Sequence, residues 1–243
     1  MNATFIFWDK ETTGLDKAFH VPVEFGAVVT DPGLRPIDNI NISCRPPRFV
    51  LPEPGALLTT RRSIGELQSR PLSVYNGTCQ FAHKVRAVTP ACFVGFNCLR
   101  FDHPLMQHCL YRNLIDPYVM VKGGNRRIDM MRLVQLAHAL GLGGLVVPIS
   151  DAGKTSFKLE RIAPLNGFDE AGAHSALVDA RAVHHLARLV AARAPETLGT
   201  GAVPMVAKGC RWRFTLPGPM SLSSSAGIGD AEFPRSRRYS QLA

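Results

Sequence analysis

Asp9 and Glu11 lie two residues apart in the run Phe5-Ile6-Phe7-Trp8-Asp9-Lys10-Glu11, whose alternation is that of a β-strand. A period of two sends both carboxylates out of one face, roughly 6–7 Å apart at the backbone, where a shared divalent cation would relieve their repulsion. Asp179 falls on a helical stripe with Ala176, Val183, Leu186 and Val190, so it points where that helix must dock. A carboxylate there is costly unless it is paired or bound to metal, and no Lys or Arg shares the stripe. Asp102 repeats the pattern, with Leu105, Met106 and Cys109 at i+3, i+4 and i+7. Ordinary roles exist for each: a solvent-facing strand end for Asp9 and Glu11, and helix capping ahead of Pro104 for Asp102. His174 stands five residues before Asp179, about 140° away on a continuous helix. The two share a site only if His174 sits in a frayed turn or loop, where its imidazole would carry protons; otherwise it is a solvated histidine like His184 and His185.

These residues need elements to hold them. In the first strand Phe5, Phe7, Asp9 and Glu11 share one face and Ile6, Trp8 and Lys10 the other. Residues 23–30 and 37–43 supply two more strands, separated by the turn signal Asp31-Pro32-Gly33, which predicts an antiparallel meander. A Pro- and Arg-rich stretch fills 45–71. Residues 72–88 then read as a helix leading into a short buried strand at 91–96, a strand–helix–strand order that implies an α/β layer. Further helices are expected over 102–112, 129–140 and 173–193, with a loop at 150–153 before the segment 155–165. Beyond these, residues 195–243 are rich in Pro, Gly and Ser, carry the run Arg235-Ser236-Arg237-Arg238, and read as a basic, disordered tail.

Composition narrows the classes. A chain of 243 residues with 46% hydrophobic and 19% charged residues can bury a core without disulfides. No apolar run is long enough to cross a bilayer, and the N-terminal segment lacks the basic start of a secretory signal, so the expectation is a cytoplasmic protein with no membrane contact. The six cysteines form no CxxC pair and suit reduced core thiols. Lys and Arg number 28 against 19 Asp and Glu, a formal charge of +9 that favours a nucleic acid or phosphate partner.

Taken together, Asp9-Lys10-Glu11-Thr12-Thr13-Gly14, then Gly95-Phe96-Asn97-Cys98-Leu99-Arg100-Phe101-Asp102, then His174 followed by Asp179, resemble the three motifs of the DEDDh (DnaQ-like) 3′→5′ exonucleases. Within that superfamily, Pro54-Gly55-Ala56, residues 111–118 and Ser156-Phe157-Lys158-Leu159-Glu160 are similar to segments of the bacterial exonuclease I branch. The resemblance covers residues 1–194 and implies an RNase H-like α/β fold, a mixed five-stranded sheet flanked by helices. It implies a catalytic domain at 1–194 with the SH3-like and helical C-terminal domains of that branch absent.

The activity so implied is metal-dependent 3′→5′ hydrolysis of single-stranded DNA to nucleoside 5′-monophosphates. Asp9, Glu11, Asp102 and Asp179 would hold two Mg²⁺ or Mn²⁺ ions, and His174 would take the proton from the attacking water. Thr13, Leu15 and Phe157 are the expected substrate contacts. The expected partner is single-stranded DNA, bound by a monomer; contact with a single-stranded DNA-binding protein would belong to the absent domains. A ribonuclease of the same fold and a catalytically impaired nucleic-acid-binding module are the alternatives.

Overall fold

Alternation in the first strand sets up two cores, one on each face of a single sheet. In the computed structural model, which describes residues 4–139, 141, 144–149, 153–170, 175–193, 213–215 and 221–223, β1 (Thr4–Thr12) lies inside a six-stranded sheet. It pairs antiparallel with β2 (Pro22–Thr30), which pairs antiparallel with β3 (Pro36–Arg45). This is the meander the turn signal predicted. Every residue of β2 is buried, as a strand covered on both faces requires.

On its other side β1 pairs parallel with β5 (Ala91–Gly95), which pairs parallel with β6 (Arg126–Asp129). At the far edge β4, only Leu72–Ser73, pairs parallel with β3, giving the order β4-β3-β2-β1-β5-β6. The sheet is therefore mixed, as expected, but has six strands rather than five. Two segments read as helical begin as strand. Leu72 and Ser73 belong to β4, and the helix starts after the Ser73 hydroxyl accepts from the Asn76 N–H. Asp129 closes β6, and the helix follows from Met130.

The face bearing Ile6 and Trp8 is covered by α3 (Val74–Ala87) and α4 (Asp102–Arg112), with Phe81, Val85, Met106 and Leu110 in one core. The face bearing Phe5 and Phe7 is covered by α5 (Met130–Ala139), α6 (Leu159–Leu165) and α7 (Ala176–Arg193), through Val134, Ile162, Val183 and Leu186. Within 155–165 the helix α6 is preceded by Thr155, which is taken up in an antiparallel bridge with Ile149. The Pro/Arg-rich stretch contributes two short helices, α1 (Pro54–Thr60) and α2 (Ile64–Ser69), the second capped by the Ser63 hydroxyl. Of residues 195–243, the described part is an antiparallel ribbon of β7 (Arg213–Thr215) and β8 (Ser221–Ser223). Among the described residues no helix is long and apolar enough to cross a membrane.

Candidate active site

Continuing past Phe5 and Phe7, the same alternation carries Asp9 and Glu11 onto the α7 face. Opposite Asp9 in the register stands Gly26, and a Cβ built there would lie 2.1 Å from the Ala176 carbonyl carbon and the Leu177 nitrogen. The absence of that carbon lets the first turn of α7 rest on the sheet. One turn on, Asp179 joins the pair: one oxygen from each of Asp9, Glu11 and Asp179 lies within 4.8 Å of the others. The three are half-buried at the carboxyl end of β1.

Such crowding has an electrostatic signature. Burial, reinforced by the charges of Asp102, Asp179 and Glu11, holds the Asp9 carboxyl well above the ordinary carboxylate range. Burial also pushes Glu11 up to about 8, with Asp179 and then Glu24 adding to it. Both acids are short of positive charge. A hard divalent ion ligated by oxygens would supply it, so the donor set and its spacing fit Mg²⁺ or Mn²⁺.

Asp102 arrives from the other side. It opens α4 after the loop that follows β5, is buried at 8% exposure and does not cap the helix. Its Oδ1 accepts from Lys10 Nζ at 2.7 Å, across the face that Ile6 and Trp8 share with Lys10. The loop is pinned by Asp129, whose Oδ1 accepts from the Asn97 N–H at 2.8 Å and the Met131 N–H at 3.2 Å. Asn97 there takes a left-handed φ of 56°, a conformation asparagine tolerates. His174 lies outside the described residues.

Of the three expected substrate contacts, Thr13 is buried, its hydroxyl accepting from the Val21 N–H at 3.0 Å and bonded to His20 Nδ1 at 3.0 Å. Its carbonyl accepts from the Glu53 N–H at 2.7 Å, so Thr13 ties the turn after β1 to the start of α1. Leu15, on that turn, is 72% exposed. Phe157 packs on the α7-side core with its ring edge-on to His138. His184 and His185 are not solvated as expected: Nε2 of each donates to a carbonyl, that of Leu34 and of Asn166 respectively. His103, beside Asp102, is pushed down to about 3 by burial and is no proton carrier near neutral pH.

Three features were not singled out in the sequence. Glu24, opposite Glu11 in the register, is a further carboxylate beside the site, buried at 4% exposure, and Arg62 and Arg70 neutralise it at 2.8 and 2.7 Å. Its parity with Gly26 on β2 was the available signal. Lys10 and Asp129 carried none for their long-range contacts, because Asp102 and Asn97 are 92 and 32 residues away in sequence. Apart from the carboxylates, a groove of about 930 Å³ runs between the 45–52 segment, α2 and the start of α3, lined by Arg45, Arg48, Phe49, Tyr75 and Arg112 among others.

Comparison with known proteins places the chain in a family. The exonuclease family model named for RNase T matches residues 6–187. Exodeoxyribonuclease I of Escherichia coli is 33% identical over 199 residues, covering 80% of this chain and 41% of its own. That of Haemophilus influenzae is 30% identical over 198 residues, covering 79% and 41%. Among solved structures, E. coli exonuclease I in complex with a dT13 oligonucleotide superposes with a TM-score of 0.76 at 31% identity, over 81% of this chain and 42% of that one. A moderately thermophilic exonuclease I from Methylocaldum szegediense gives 0.74 at 35% identity, over 80% and 41%. The chain thus spans about two fifths of the length of the relatives it matches.

Proposed function

Since this chain belongs to the exonuclease family named for RNase T, we propose that it is a metal-dependent 3′→5′ exonuclease that removes nucleoside 5′-monophosphates from single-stranded DNA, with its catalytic domain in residues 1–194. The observation that carries the reading is the approach of Asp9, Glu11 and Asp179 to within 4.8 Å at the end of β1. Support for the substrate comes from the relative crystallised with dT13 and from the formal charge of +9.

Asp9, Glu11 and Asp179 would hold one divalent ion, and Asp102 would contribute a carboxylate to a second. Bound divalent ions lower the pKa of water and offset the charge that develops on a leaving 3′ oxygen. The chain's own residues do the rest. His174, two residues ahead of α7, accepts the proton of the attacking water, since an imidazole titrates near working pH. Asp129 keeps the 96–101 loop in place and with it Asp102. Leu15 and Phe157 meet the terminal nucleotide, and Thr13 acts through the turn it pins.

The test uses 5′- and 3′-labelled oligonucleotides of DNA and RNA, single- and double-stranded, with Mg²⁺ or with EDTA. The expected result is a ladder of shortening 5′-labelled single-stranded DNA, mononucleotide release from the 3′ label, and no hydrolysis in EDTA. Preferential attack on RNA would reassign the substrate, and full activity in EDTA would remove the metals from the mechanism.

A further inference from the structure

Lys10 is the one residue of the Asp9-Lys10-Glu11 run to which the proposed reaction gives no task. Strand alternation turns it away from its two neighbours, and its side chain is 0% exposed. A buried ammonium is costly unless a carboxylate meets it, and Asp102 does so at 2.7 Å. The Phe101 ring, 4.4 Å from the same nitrogen, adds its π face to the surroundings of the cation. Lysine brings all of its charge to one compact ammonium, and here that ammonium is in direct contact with one oxygen of Asp102.

The four acids are therefore not equivalent. Asp9, Glu11 and Asp179 gather around one point, whereas Asp102 already has a cation of the protein's own. An ion approaching Asp102 would compete with Nζ for Oδ1 and would meet a fixed positive charge in a poorly solvated place. On the strength of the metal-dependent reading above, we infer that Lys10 is the resident counter-ion of Asp102. A first divalent ion binds at Asp9, Glu11 and Asp179, while a second, which needs Asp102, must displace the ammonium. Lys10 is thus a positioning residue that sets the metal stoichiometry of the protein before nucleic acid arrives.

The experiment is a Mn²⁺ titration of the full chain without nucleic acid, followed by calorimetry and by the electron paramagnetic resonance of the unbound ion. Wild type is expected to bind one ion tightly and a second at least about tenfold more weakly. Lys10→Met, similar in length but uncharged, should bring the second site to within about threefold of the first, and Lys10→Arg should keep the wild-type pattern. Two equally tight sites in wild type, or a second site in Lys10→Met as weak as before, would overturn the role of Lys10 and leave the metal site standing. No Mn²⁺ binding at all would overturn the site and this inference together. The wild-type titration exposes the inference to failure even if Lys10→Met does not fold, and Lys10→Gln repeats the comparison with a neutral side chain that still donates to Asp102.

Discussion

An acid whose pKa is raised by folding costs stability wherever solvent forces it to ionise. Glu11 gives up its proton near 4.5 when unfolded and near 8 when folded, and Asp9 moves in the same direction. Between those values the folded chain holds more protons than the unfolded one, so its stability is greatest below the unfolded value and falls as pH rises through the window. In EDTA the melting temperature should therefore drop between about pH 5 and pH 8, and excess Mn²⁺ should remove the drop, because metal binds only the folded site. A melting curve in EDTA that is flat across this range would contradict the crowding of charge. The same crowding separates ligand from base. Asp9→Ala or Asp179→Ala should abolish both Mn²⁺ binding at the triad and hydrolysis, whereas His174→Ala should keep the metal and lose about 10²- to 10⁴-fold in rate. A wild-type rate for His174→Ala at neutral pH would remove it from the reaction.

At the scale of elements, the meeting of β1 with α7 depends on one missing methyl group. Gly26→Ala would place a carbon 2.1 Å from the backbone of Ala176 and Leu177, and only a shift of the α7 start can make room. Overpacking of this kind costs about 1–3 kcal/mol, and the shift carries Asp179 away from Asp9. Urea unfolding should show the loss, and Mn²⁺ titration a weakened triad. Gly55→Ala, where a Cβ meets nothing within 4 Å, is the control that should lower neither stability nor Mn²⁺ affinity. The strands and helices that frame this contact were legible because facing is periodic: successive residues of β1 enter opposite cores, and burial along Ala176 to Val190 recurs about every 3.6 residues. What stayed hidden lacked a period. β6 opens on two exposed arginines and has only four residues, and β4 has two. The three acids of the triad could be read off because each lies on a patterned face. The Lys10–Asp102 pair could not, since it depends on where α4 begins above the end of β1, which only packing decides.

Across the whole molecule, charge and shape divide the work between two places. Among the described residues near the carboxylates, Lys10 is paired with Asp102, and Arg62 and Arg70 with Glu24. Away from them, the 930 Å³ groove beside the 45–52 segment is lined by Arg45, Arg48 and Arg112. There Arg48 and Phe49 are exposed, Phe49 at 87%, a cation beside an aromatic ring of the kind that grips phosphate and stacks a base. Arg112 lines the same groove but donates to the carbonyls of Phe19 and His20 at 2.9 and 2.6 Å, so it braces the turn that follows β1. A strand lying in the groove would thus be held by residues attached to the loop that leads back to Thr13 and Leu15. Affinity for an oligothymidine, measured by fluorescence anisotropy with Ca²⁺ in place of Mg²⁺, should fall steeply with salt through counterion release. Arg48→Glu should weaken binding at every salt concentration and reduce the slope of log affinity against log salt by about 1. Phe49→Ala should lower affinity by about 1–3 kcal/mol while leaving that slope unchanged, since stacking releases no counterion. If both variants bind and respond to salt as wild type does, the strand follows another path and the groove has no part in it.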